Sequence, residues 1–265
     1  MLWTTAAGTR TLRVSLRYIH TMRLVRIFSL IVPILQAQQA TPSVDDILDR
    51  YVLALGGKSE FERVTSLVMK GAIEFPDLHL SGTTTEYFKS PKRLAVIVEI
   101  GGIGTVRTIC DGTEAWTENP QTGVQPMTGA ELSDLLRRAD LQWHLKLKEY
   151  YPGLRIKDRE TIIGQDVWVL EATVDGVTHR WYLNVGNGEL IRFDTDAAEP
   201  ENSSSILISD YRPAGNVRFP YAASFTGPKL KWNRKLSEVQ INVPVDDALF
   251  AKPAAKKPAA AGPAQ

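Results

Sequence analysis

The feature that most constrains this chain is an alternation of period two that begins at Ser66 and is broken repeatedly by turn dipeptides. Leu67, Met69, Gly71, Ile73 and Phe75 alternate with Val68, Lys70, Ala72 and Glu74, and that period puts the two sets on opposite faces of an extended strand. Asp111-Gly112, Asp175-Gly176 and Asn187-Gly188 each separate two β-rich runs. These residues tolerate the positive φ of a tight hairpin, so each pair predicts that the chain folds back on itself. The stretch Thr105 to Glu118, TVRTICDGTEAWTE, shows the device in miniature, as two short strands joined at Asp111-Gly112. Such a chain builds one large antiparallel sheet.

The remaining strands read as Leu78 to Lys89, Arg93 to Ile100, Arg155 to Ile163, Asp166 to Val174, Val177 to Val185, Glu189 to Asp194, Ser205 to Tyr211, Arg218 to Thr226 and Lys235 to Asn242. The total is roughly eleven strands, or twelve if both arms of the Asp111-Gly112 hairpin are counted separately. A sheet of that size must curl or close, because strand twist accumulates and a flat apolar face would aggregate. Helices are fewer. Ser43 and Asp46 have the spacing of a capping box ahead of Ile47, Tyr51 and Leu55, and Gly56-Gly57 ends that helix. Thr128 and Glu131 form a second box before the stripe Leu132, Leu135, Leu136, Ala139, Trp143 and Leu147, which predicts one helix ending at Tyr150-Tyr151-Pro152-Gly153. The fold class is therefore α+β, mostly β, with two or three helices covering the concave face of a strongly curved sheet. Because so few helices cover only part of it, an internal apolar space follows.

At 43% hydrophobic and 23% charged, the 265 residues suffice for a packed domain. The formal charge of +1 conceals five arginines and no acid in residues 1–37, which leaves the remainder at about −4. A mildly acidic body without a basic stripe excludes nucleic acid as a partner. Residues 22–40, MRLVRIFSLIVPILQAQQA, have the basic, apolar and small-residue parts of a secretory signal; the expected start is Met22 and the expected cleavage follows Ala37 or Ala40. The segment from Ala251, AKPAAKKPAAAGPAQ, lacks any apolar period and reads as a disordered extension. The domain proper is thus expected over 41–250, as an exported unit.

Catalytic motifs are missing from the sequence. His79, His144 and His179 are scattered singly, without metal-chelating spacing, and read as surface or satisfied residues. Gly101 to Gly104 lacks the Lys-Ser/Thr of a phosphate loop, and no G-x-S-x-G elbow occurs. Cys110 adjoins Asp111, whose charge raises a thiol pKa and opposes a nucleophilic role. No enzyme activity, metal or cofactor is expected.

Several stretches together carry a family resemblance: a Gly-Gly helix end over 54–58, SLVMKGAIEF, SPKRL, CDGTEAW, TGAEL, GVTHRWYLNVGNGELIR, SDYRPAGNVRFPYAASF and VPVDDALFAKP. From Ser43 to Pro253 the chain resembles the outer-membrane lipoprotein-sorting-protein-like families, relatives of the periplasmic lipoprotein carrier LolA. It departs from the best-known carriers in its greater length and its Pro/Ala/Lys tail. The resemblance implies a half-barrel whose helices act as a lid over a hydrophobic cavity for acyl chains. Lipidated proteins or lipids are then the partners of a monomeric carrier involved in outer-membrane biogenesis, with an envelope membrane protein as a further partner. A non-enzymatic sensor or adaptor that binds a partner protein or glycolipid is the alternative. The expected cavity residues are Leu132, Leu136 and Trp143 of the helix stripe and Ile97, Trp116, Trp168 and Trp181 of the strands; each is also an ordinary core residue by type. The orientation of Trp116 depends on the register of its hairpin.

Overall fold

The computed structural model describes residues 41–196 and 203–254, within the unit that begins at Thr41. The predicted export signal and residues 255–265 of the tail lie outside the described residues. A first meander contains β1 (Ser66–Phe75), β2 (Leu80–Lys89), β3 (Arg93–Ile100), β4 (Gly104–Cys110), β5 (Ala115–Asn119) and β6 (Gly123–Pro126). A second contains β7 (Arg155–Ile162), β8 (Gln165–Val174), β9 (Val177–Asn184), β10 (Leu190–Asp196), β11 (Ser204–Ala214), β12 (Val217–Thr226) and β13 (Lys231–Ile241). Pairing of β1 with β13 fuses them into one 13-stranded antiparallel sheet with β6 and β7 at its edges. The count exceeds the expected eleven or so. The strand that the alternation does not reveal is β6, whose four residues GVQP are too few to display a period.

The turn signals are correct in place and variable in geometry. Val174 pairs with Val177, and φ of 53° at Asp175 and 78° at Gly176 give the two-residue hairpin. At Asp111-Gly112 the hairpin forms, but Cys110 pairs with Ala115 across a four-residue loop. There Asp111 Oδ1 accepts from the backbone N–H of Thr113 and of Glu114, each at 2.8 Å, so an Asx turn displaces the tight one.

Among the described residues four helices accompany the sheet: α1 (Val44–Ala54), α2 (Lys58–Glu62), α3 (Gly129–Ala139) and α4 (Leu147–Tyr150). The Ser43–Asp46 capping box is complete, with Ser43 N–H donating to Asp46 at 2.8 Å and Asp46 N–H to the Ser43 hydroxyl at 3.1 Å. The Thr128–Glu131 box does not form, since the Thr128 side chain makes no capping bond and Gly129 takes φ of 60°. The predicted long helix also divides. Asp140 leaves the helical conformation, and its carboxylate accepts from Gln142 N–H at 2.9 Å, Lys146 Nζ at 2.8 Å and Tyr150 OH at 2.6 Å. These bonds stabilise a 3-10 turn at Trp143–Leu145 followed by α4. Leu135, Ala139 and Leu147 of the stripe are nonetheless buried, so the apolar period was preserved while helical continuity was lost.

Residues 127–154 leave β6 at one edge of the sheet and enter β7 at the other. This connection has to cross the sheet, and it carries α3, the 3-10 turn and α4 over one face.

Candidate functional site

Strand register assigns side chains to two faces. Leu94, Cys110 and Ala115 lie opposite one another and pack with Leu135 and Ala139 of α3; this is the helix face. Ala95, one residue on, packs with Val68, Val245 and Phe250 of the C-terminal segment on the outer face.

Over β1, β8, β9, β12 and β13 the helix face is filled by the protein's own side chains. Ile47 and Tyr51 of α1, Phe61 of α2, and Leu147 and Tyr151 at α4 meet Leu67, Leu170, Trp181, Phe219 and Leu236 of the sheet. Tyr51, Tyr151 and Trp181 are 0–1% exposed, and burial of each such ring contributes on the order of 2–3 kcal/mol. Two histidines lie in this core. His144 Nδ1 is hydrogen-bonded to Tyr51 OH, its ring sits 4.0 Å from that of Trp143 and 5.4 Å from that of Phe61, and burial pushes its pKa down to about 3. His179 is 2% exposed, 5.0 Å from Tyr151, with neither ring nitrogen hydrogen-bonded; burial lowers its pKa too. The expectation of surface or satisfied histidines fails for His179, because its strand faces the helices.

Beyond this packed region the same face continues along β1, β2, β3, β12 and β13. Register places Ile73 and Phe75, Thr84, Val98, Phe225 and Trp232 there, and none of these belongs to the two clusters beneath the helices. Phe225 and Trp232 are cross-strand partners with stacked rings 5.4 Å apart. The result is an apolar strip in which Val98, Phe225 and Trp232 are half-buried and Ile73 and Phe75 buried, with the Glu86–Arg234 ion pair at its inner end.

No family model and no curated protein matches the sequence. Solved structures do. A DUF1329 family protein from Desulfovibrio piger aligns with a TM-score of 0.56 at 13% identity, over 80% of this chain and 98% of that one. A LolA superfamily protein from Nitrosomonas europaea gives 0.53 at 15% identity, over 80% and 99%. An outer-membrane lipoprotein-sorting protein domain from Vibrio parahaemolyticus gives 0.50 at 10%, over 77% and 94%. The fold is LolA-like.

Within this LolA-like sheet the seven expected residues separate. Leu132 and Leu136 are half-buried beside the Leu94–Cys110 cluster. Trp143 and Trp168 are half-buried against the main core, and Trp181 lies wholly inside it, 4.5 Å from Tyr151. Ile97 and Trp116 lie on the outer face instead. Trp116 pairs with Ile109, and Lys252 Nζ lies 5.5 Å above its ring. Ile97 joins Ile109, Arg107, Glu118, Leu249 and Lys252 around a groove of about 370 Å³. Cys110 is fully buried on the helix face; burial, with help from Asp111, raises its pKa.

Sequence reasoning passed over Glu86 and Arg234. Their inward orientation depends on which phase of two charge-bearing strands meets the helices, which becomes visible only once both strands are paired to β1. Among the described residues, no helix is long and apolar enough to cross a membrane, and no three His, Cys, Asp or Glu side chains gather as a metal site.

Proposed function

We propose that this protein is a periplasmic carrier that shelters acyl chains, of lipoproteins or of lipids, on the helix side of its LolA-like sheet. The observation that carries this reading is the apolar strip of Ile73, Phe75, Val98, Phe225 and Trp232, which extends the helix face past the part filled by the protein's own rings. An acyl chain exposed to water loses ~0.8 kcal/mol per methylene, so a single long chain needs shelter on the order of ten kcal/mol. An apolar strip beside the crossing segment offers such a surface without bond chemistry, and the expected export signal over 22–40 would deliver the protein to the compartment where such transfer is needed.

The test is mass spectrometry of organic extracts from protein purified natively from the periplasm. Lipid at near one equivalent per chain is the expected result. Lipid-free protein that instead retains an envelope protein would favour the adaptor reading and reject the carrier.

A further inference from the structure

This inference rests on the carrier reading and names the cargo's head group. By register, the helix face of β1 to β4, β12 and β13 carries two charged side chains among the described residues, Glu86 and Arg234. Glu86 of β2 lies opposite Met69, Arg234 of β13 lies opposite Ile73, and Gly71 stands between those two positions on β1. With no side chain at Gly71, the guanidinium reaches across β1 to the carboxylate. Glu86 is 8% exposed and the Arg234 side chain 15%.

Such a pair contributes little to stability, since desolvation of two charges offsets their attraction. It is also incomplete: Glu86 accepts from Nη1, while Nε of Arg234 is buried and lacks a partner. A buried unpaired N–H is a cost that a well-placed acceptor removes. The guanidinium is a planar fork, and its Nε edge suits the paired oxygens of a carboxylate or phosphate.

We propose that Arg234 receives the anionic head of the cargo through Nε, with Glu86 holding the fork from the Nη1 side. The acyl chain then lies along the half-buried Phe225–Trp232 pair and Val98 of β3, above the buried Ile73 and Phe75. The cargo class assigned is an acyl chain ending in a carboxylate or phosphate, as distinct from the neutral acyl groups of a lipoprotein.

The test compares palmitate, hexadecyl phosphate and methyl palmitate as competitors for a neutral fluorescent lipid probe on delipidated protein. Expected is at least about tenfold tighter binding of one anion than of the ester, the tighter anion identifying the head group. Arg234→Met should reduce that anion to the ester's affinity and leave the ester unchanged. Because this variant strands the Glu86 carboxylate, Glu86→Gln serves as the second probe: removal of the resident negative charge should tighten anion binding, a gain that a damaged fold cannot produce. Equal binding of acid and ester in the unaltered protein would overturn the assignment and leave the carrier reading intact. Failure of all three to bind would remove the carrier reading itself.

Discussion

Arg137 of α3 and Asp175 of the β8–β9 turn form an ion pair at 3.2 Å, which ties the helix resting on β4 to a hairpin in the other half of the sheet. The Arg137 guanidinium also lies 5.5 Å above the Tyr151 ring, and its side chain is 13% exposed. Asp175→Asn removes only a partly exposed charge and should cost less than ~1 kcal/mol. Arg137→Ala loses packing as well and should cost about 1–2 kcal/mol. In hydrogen-exchange measurements, Arg137→Ala should accelerate exchange of the α3 amides and leave β8 and β9 protected; unchanged α3 protection would show that the contact does not hold the crossing segment.

The buried histidines predict a pH dependence of a particular sign. His144 titrates near 6.5 when unfolded and at about 3 when folded, so between those values the unfolded chain binds more protons. Stability is therefore full above pH 6.5 and falls as the pH drops, by at most about 1.4 kcal/mol per unit for one group. His179 shifts in the same direction. Carboxylates held below their usual range act lower: at Asp140 burial opposes ionisation, but hydrogen bonds from Lys146 and Tyr150 prevail, and its contribution is lost only as the pH falls below about 3.8. Urea midpoints measured between pH 7 and 5 should decline for the unaltered protein and flatten in a His144→Phe, His179→Phe double variant.

On the outer face, Phe250 is 2% exposed and packs with Val68, Ala95 and Val245. Phe250→Ala should destabilise by about 3–5 kcal/mol in denaturant titrations. Asp247 beside it accepts from Lys89 at 2.6 Å and Arg93 at 2.7 Å, so added salt, which screens these exposed pairs, should loosen the hold on this segment in the unaltered protein.

Gly71 lies at the seam between the two meanders. A Cβ there would stand 2.2 Å from the Lys235 carbonyl oxygen and 2.7 Å from Leu236 Cα, at the point where the β1–β13 register shifts. Gly71→Ala should destabilise by about 3 kcal/mol by forcing these backbones apart. A midpoint within experimental error of the unaltered protein would contradict this.

What the sequence by itself determined is local. Alternation in β1, the Asp-Gly and Asn-Gly turns, the Ser43 cap and the apolar stripe of residues 132–147 depend on neighbours a few positions apart, and they yielded a curled antiparallel sheet with a helical cover. Tertiary structure decided which face each alternating set occupies. Trp116 turns outward because its neighbour Ala115 pairs with Cys110 beneath α3, and Glu86 meets Arg234 because β2 and β13 flank β1 from opposite sides. A one-residue shift of register would reverse every such assignment without altering the local pattern. Pairing of β2 and β13 to the two sides of β1, which brings together side chains 148 positions apart, rather than composition, thus set the charged centre of the candidate site.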